Sequence, residues 1–245
     1  MISLAITVLG LLIGALLSGF IRGPEQKIQF ISLVSFQNSG YLPLALIAAL
    51  LSKDKADSMF IYLFLFLLGF NLIMFSFGSY LVAFSKKKEF ELASLLSPPV
   101  AATLVTLGLV FFGLNKIVPD FIFKPVKMVG DCTLPLAMFV VGGNLAQIKL
   151  GSIDFKSNLL MALAKLIIMP SIGLLLLYKI ALPELIGLLI IIELAMPPAT
   201  LLSLITRHHK KEDLLVGQGL FLSHILSLLT IPVFLSLYYT FILVK

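Results

Sequence analysis

Phe36-Gln37-Asn38-Ser39-Gly40-Tyr41-Leu42-Pro43 interrupts an otherwise apolar run, Ile28–Leu51. Proline removes a backbone donor and clashes with the preceding turn, so a helix does not pass cleanly through such a stretch. Much later, Glu193-Leu194-Ala195-Met196-Pro197-Pro198-Ala199-Thr200 does the same to the run Leu185–Thr206. A third candidate lies in Val129–Ile148, which reads Gly130-Asp131-Cys132-Thr133-Leu134-Pro135 and then Gly142-Gly143-Asn144. In lipid the freed carbonyls find no water, so a true break survives only inside a bundle or beside an aqueous cavity. The plain alternative for any one of them is a proline kink. Two breaks in corresponding positions of two halves point instead to a solute site at mid-membrane.

The rest of the chain says that lipid is the right solvent. Of 245 residues, 60% are hydrophobic and 12% charged, against about 25% charged in soluble domains. That excludes a soluble enzyme, a nucleic-acid-binding domain and a secreted disulfide scaffold. The single cysteine, Cys132, rules out an intrachain disulfide and a cysteine zinc site. Eight runs are long enough, or nearly so, to cross a bilayer core of about 30 Å as helix: Ile2–Ile21, Ile28–Leu51, Met59–Ala83, Pro98–Leu114, Val129–Ile148, Leu159–Leu177, Leu185–Thr206 and Leu214–Leu243. The eighth is long enough to tilt, or to bend at Pro232. Continuous rather than alternating apolarity excludes a β-barrel. The first run has no basic lead-in and no cleavage site, so it is not a signal peptide.

The connections carry the topology. Ten basic residues fall on one side, in the groups Arg22/Lys27, Lys86–Lys88, Lys149/Lys156 and Arg207/Lys210/Lys211, against seven on the other. The positive-inside rule makes the first side cytoplasmic and both termini non-cytoplasmic. The net charge of +6 therefore reads as membrane flanks, not as a nucleic-acid surface.

Only Lys165 and Glu193 are full charges well inside apolar runs. Each costs at least about 2.5–3.5 kcal/mol near the bilayer centre, so each is expected to face a cavity or a partner. Lys165 can alternatively snorkel to the interface, and Glu193 can cap groups freed by Pro197. The simplest functional arrangement has the two on one cavity, as an ion pair or a proton-responsive pair. Asp131, nearer a run's end, reads either as a third coupling candidate or as a cap of the helix after the break. His224 reads as a packed polar residue, Asn71, Asn144 and Gln218 as hydrogen-bond glue between helices, and Gly10/Gly14 as a close-packing pair. No zinc, nucleophile-elbow or phosphate-loop signature is present, so an enzyme is not expected.

Taken together the motifs resemble the auxin efflux carrier family, within the bile acid/auxin carrier superfamily. Phe36 to Leu44 is similar to that family's F-x-N-[ST]-G-x-L-P-L stretch, Leu134-Pro135-Leu136-Ala137 with Val141 to Ala146 to its P-L-A…L-G-x-x-L-A helix, and Ala195-Met196-Pro197-Pro198-Ala199 to its A-[LM]-P-P-A break. Lys165 to Pro170 and Ser223 to Pro232 resemble two of its later helices. The resemblance implies an all-α polytopic carrier of two inverted five-helix repeats with two broken, crossing helices. This chain aligns from the family's third helix onward. Residues 1–97 would then be the rest of the first repeat, and 98–245 the second repeat, with two scaffold and three transport helices. It further implies transport of a small organic anion across the cell membrane and a homodimer through the scaffold. The binding set would be Asn38, Ser39, Gly40, Pro43, Pro197, Pro198 and Thr200, with Lys165, Glu193 and Asp131 as coupling candidates. No cofactor or metal is implied; the coupling ion is left open between a proton and sodium. The other class of reading is a non-transporting membrane subunit or degenerate carrier fragment.

Overall fold

The computed structural model describes residues 1–78, 81, 98–148, 154–208 and 214–243. Among these every regular element is a helix, and one isolated bridge joins two non-helical segments, a multi-pass membrane architecture. Helix α1 (Ile2–Leu17) tightens into a 3₁₀ turn at Ser18–Phe20. Gly23 then takes φ 81°, which favours glycine, and Pro24 opens α2 (Pro24–Ser35) in the first turn, where its missing donor is harmless. After the first break come α3 (Tyr41–Leu50) and α4 (Lys53–Ile73), the latter continued by a π turn, Met74–Gly78.

The second part begins with α5 (Pro98–Phe111), α6 (Asp120–Asp131) and α7 (Thr133–Ala146). Helix α8 (Phe155–Leu163) runs through a π turn, Ala164–Ile168, into α9 (Met169–Lys179). Helix α10 (Glu184–Ala195) ends at the second break; α11 (Leu201–His208) and α12 (Leu214–Tyr238) follow. The first residues of α8 are tied down by Asp154, whose carboxylate accepts from the Ser157 amide and hydroxyl. Those bonds hold its carboxyl below the usual carboxylate range.

The expected runs and the observed helices differ in instructive ways. Among the described residues five helical stretches are continuous and apolar enough to span: Ile2–Phe20, Lys53–Gly78, Asp120–Ala146, Phe155–Lys179 and Leu215–Leu243. The runs Ile28–Leu51 and Leu185–Thr206 are both interrupted. The run at 129–148 is not: Cys132 alone separates α6 from α7, and Pro135 sits in the first turn of α7, where amides lack intrahelical partners anyway. That helix also starts earlier, at Asp120, so Lys124 and Lys127 lie on a helix and not in a connection. Likewise Lys53 and Lys55 open α4. Pro232 does not end α12, which stays helical through Tyr238. Lys86–Lys88, Lys149, His209, Lys210, Lys211, Lys245 and the repeat boundary at 97/98 lie outside the described residues.

One hydrophobic cluster joins both broken helices, with Phe30, Leu33 and Phe36 beside Leu188, Ile191, Ile192 and Leu194. Helix α1 is held against α2 by its small residues, as the Gly10/Gly14 spacing predicts. A Cβ on Gly10 would stand 2.6 Å from Ser35 Cα, and one on Gly14 3.1 Å from Ile31 Cα. Helix α12 packs on α2, α8 and α10, and α3 packs on α4 and α7. By contrast α5–α7 are largely exposed, their main contacts being those of α5 with α4 and of α7 with α3. Only 11% of the apolar window of Asp120–Ala146 is buried, against 44% for Phe155–Lys179.

Candidate functional site

Two extended pieces of backbone meet at the breaks. The Asn38 N–H donates to the Pro197 carbonyl at 2.8 Å, and the Ala199 N–H donates to the Phe36 carbonyl at 2.9 Å. These bonds bridge Gln37 antiparallel to Pro198. The double proline explains the arrangement: neither ring nitrogen has a proton to continue α10, yet the carbonyl of Pro197 still accepts. So the broken helices satisfy one another where no water would.

That exchange leaves a debt in α2. In an unbroken helix the Val34 carbonyl would accept from the amide of Asn38, which is committed to Pro197. The Lys165 ammonium takes its place, donating to the Val34 carbonyl at 2.9 Å. A cation there also meets the negative end of the α2 dipole. Lys165 reaches this point from the π turn Ala164–Ile168, two residues before Pro170. Pro170 cannot donate, and Met169 bonds back to Ala164, five residues earlier. Lys165 is 0% exposed; it does not snorkel.

Glu193 is also 0% exposed, and neither carboxylate oxygen has a hydrogen-bond partner. It therefore caps nothing freed by Pro197. Its polar neighbours are the side chains of Gln37 and Ser39, and the Lys165 charge acts on it across a gap. No ion pair closes that gap: the salt bridges among the described residues involve other groups. Both amide atoms of Gln37 and the Asn38 Nδ2 are buried and unpartnered as well. A buried polar group without a partner costs about 1–3 kcal/mol. Gathering three such side chains at one crossing is what a ligand site looks like and what a purely structural core avoids.

The other sequence candidates divide clearly. Ser39 is buried in the first break, and Pro43 is buried in the first turn of α3. Pro197 and Pro198 form the second break, and Thr200 is buried beside it and accepts from Asn144 Nδ2 at 3.5 Å. Gly40 precedes α3 at φ −104°, a conformation open to any residue, and a Cβ there would make only an ordinary contact with Leu67. Its conformational freedom is not used. Asp131 is not brought to this group. Its side chain is 64% exposed, and Lys127 holds both carboxylate oxygens at about 3 Å, so it neither joins the crossing nor caps α7. The spacing of four residues on one helix explains why.

Two participants were legible only as parts of motifs. Gln37 reads as one letter of the first break, and Asn144 as helix glue, yet one lies at Glu193 and the other ties α7 to the second break. Glue is the right description for Gln218, which accepts from Asn158 Nδ2 at 2.9 Å between α12 and α8. His224 packs against its own helix, its Nδ1 2.7 Å from the Leu220 carbonyl. Among the described residues no cluster of His, Cys, Asp or Glu could hold a metal.

A protein-family model described as "Membrane transport protein" matches residues 82–235, which takes in the second break, Lys165 and most of α12. No curated protein and no solved structure matches the chain.

Proposed function

The chain belongs to the membrane transport protein family, and on that premise we propose that it is a secondary carrier of a small organic anion, bound where α2/α3 and α10/α11 cross. The observation that carries this reading is the crossing itself: two broken helices sewn together by backbone bonds, with the side chains of Gln37, Asn38 and Glu193 left unpartnered beside them. The N-termini of α3 and α11 follow the breaks directly, and such ends offer free amides and partial positive charge to a carboxylate. Asn38 would orient that carboxylate with its free amide group, Ser39 and Thr200 would add hydroxyls, and Pro43, Pro197 and Pro198 would keep the backbone from closing into one helix. The Asn144–Thr200 contact would break and reform as the crossing moves against α7. The carrier would work in the cell membrane, its cytoplasmic side set by the ten-to-seven excess of basic residues. The open faces of α5–α7 would suit lipid or a second copy.

The test is uptake of labelled mono- and dicarboxylates into proteoliposomes containing the chain. Asn38→Ala should leave insertion and folding intact. It should weaken the apparent affinity roughly five- to hundredfold, the equivalent of about 1–3 kcal/mol for a lost buried hydrogen bond. Undiminished affinity in that variant removes Asn38 from the site. No uptake of any carboxylate by the unaltered chain removes the reading.

A further inference from the structure

Glu193 has a position that its surroundings do not account for. It lies in the last turn of α10, where the helix presents its negative end, and it has no hydrogen-bond partner. The only charged group among the described residues acting on it is Lys165, which is anchored on Val34 instead. The charged residues of the packed neighbours α4 and α9 lie towards the far end of α10, where Lys55 pairs with Glu184 at 3.0 Å. His224 on α12 has its Nδ1 at the Leu220 carbonyl of its own helix, its buried Nε2 is unpartnered, and it exerts no charge on Glu193.

Consider the charge at the crossing. When it is empty, Lys165 and an ionised Glu193 cancel. An organic anion entering beside them would leave at least one buried negative charge uncompensated, which a dry interior does not tolerate. One proton on Glu193 restores neutrality for a monoanion and halves the excess for a dianion such as malonate. A protonated carboxyl is also a donor, and the unpartnered Gln37 Oε1 is an acceptor beside it. The proton thus supplies what both side chains lack. A metal cation would balance the charge too, and Lys165 opposes either positive charge; what favours the proton is the donor it gives the carboxyl.

Building on the carrier reading above, we infer that Glu193 is a proton-binding position, loaded when an organic anion occupies the crossing, so that a proton travels with the anion. The proton comes from water on the side of entry, converts the Glu193 carboxylate to a carboxylic acid, and leaves with the anion on the other side. Anion and proton then raise each other's affinity by the same factor.

The decisive measurement is infrared difference spectroscopy of the purified chain in lipid. Addition of malonate at constant pH should produce a carboxylic acid C=O band. That band should shift on ¹³C-glutamate labelling, be absent in Glu193→Gln, and be indifferent to NaCl replacing KCl. A band that survives in Glu193→Gln, or one that NaCl abolishes, overturns the inference. Should that variant fail to fold, Glu193→Asp under the same glutamate label decides: a malonate-induced band that still shifts comes from another glutamate and overturns the inference. In proteoliposomes loaded with a pH dye, inward malonate gradients should acidify the lumen, and whatever malonate Glu193→Gln still takes up should enter without acidification. Malonate uptake with no glutamate band sinks the proton site and spares the carrier. A glutamate band titrated by pH in a chain that moves no carboxylate sinks the carrier and spares the proton site.

Discussion

Two regions of this molecule handle charge in opposite ways. On α6 the acidic and basic residues fall four apart and close into pairs: Lys124 on Asp120 at 3.0 Å and Lys127 on Asp131 at 2.9 Å, all four side chains more than 60% exposed. At the crossing, Lys165 and Glu193 are 0% exposed and remain apart. Pairing is thus found where it is worth little, about 0.3–0.5 kcal/mol for such a helical pair, and is missing where it would be worth most. A fold selected for stability alone would replace the buried couple with apolar residues, often at no loss. The comparison teaches that neither the presence of charge nor its pairing marks the site. What sets Lys165 and Glu193 apart is burial without a charge partner.

The largest effect should come from breaking that isolation on one side. Lys165→Met strips the Val34 carbonyl of its donor and leaves Glu193 as a lone buried charge, a change of about 3–5 kcal/mol. We expect a large drop in the thermal midpoint of the purified protein and loss of carboxylate uptake. Adding Glu193→Gln should return most of the stability, since the uncompensated charge is then gone. If the double variant is destabilised by the sum of the two single changes, the residues do not sense each other and the contrast with α6 collapses.

A second effect tests the packing behind the contrast. Gly10 lets α1 lie directly on Ser35, the last residue of α2 before the break, whereas Gly142 on the open α7 has nothing within 4 Å of its missing Cβ. Gly10→Val should therefore cost about 1–3 kcal/mol as overpacking and impair uptake by displacing the end of α2. Gly142→Ala should be neutral or slightly stabilising, through helix propensity. Equal tolerance at both glycines, read from thermal midpoints, would show that the α1–α2 contact does not position the crossing.

Much of this was written in the sequence. Runs of apolar residues set the membrane class, and the prolines at 43, 197 and 198 marked both breaks, because a missing donor is a local fact. Depth marked Lys165 and Glu193 for the same reason. What could not be read was which groups meet. That Lys165 would serve Val34 depends on Asn38 leaving for Pro197, a bond across two distant segments. Gln37 looked no different from any motif residue until it lay beside Glu193. The break proposed at Leu134-Pro135 failed although Pro135 holds the same place in the first turn of α7 that Pro43 holds in α3: the residue before α7, Cys132, stays helical, whereas the chain before α3 is extended from Phe36. The partner of Asp131 was hidden in the same way: read as a run's end, it lacked the helical register that hands it to Lys127.

The smallest expected effect is at that pair, and it carries the comparison to its limit. Asp131 and Lys127 are one turn apart on α6, exposed to more than half their area. An exposed pair is screened by salt and spends side-chain entropy to hold its geometry. Asp131→Asn and Lys127→Gln should each shift stability by no more than about 0.5 kcal/mol, with the double variant indistinguishable from either single one. Uptake at saturating carboxylate should stay within twofold of the unaltered chain, because nothing at the crossing depends on this charge. The comparison needs both halves to hold. A tenfold fall in uptake by Asp131→Asn at unchanged stability would return Asp131 to the coupling machinery, and exposure would then no longer separate the charges that work from those that merely solvate the surface.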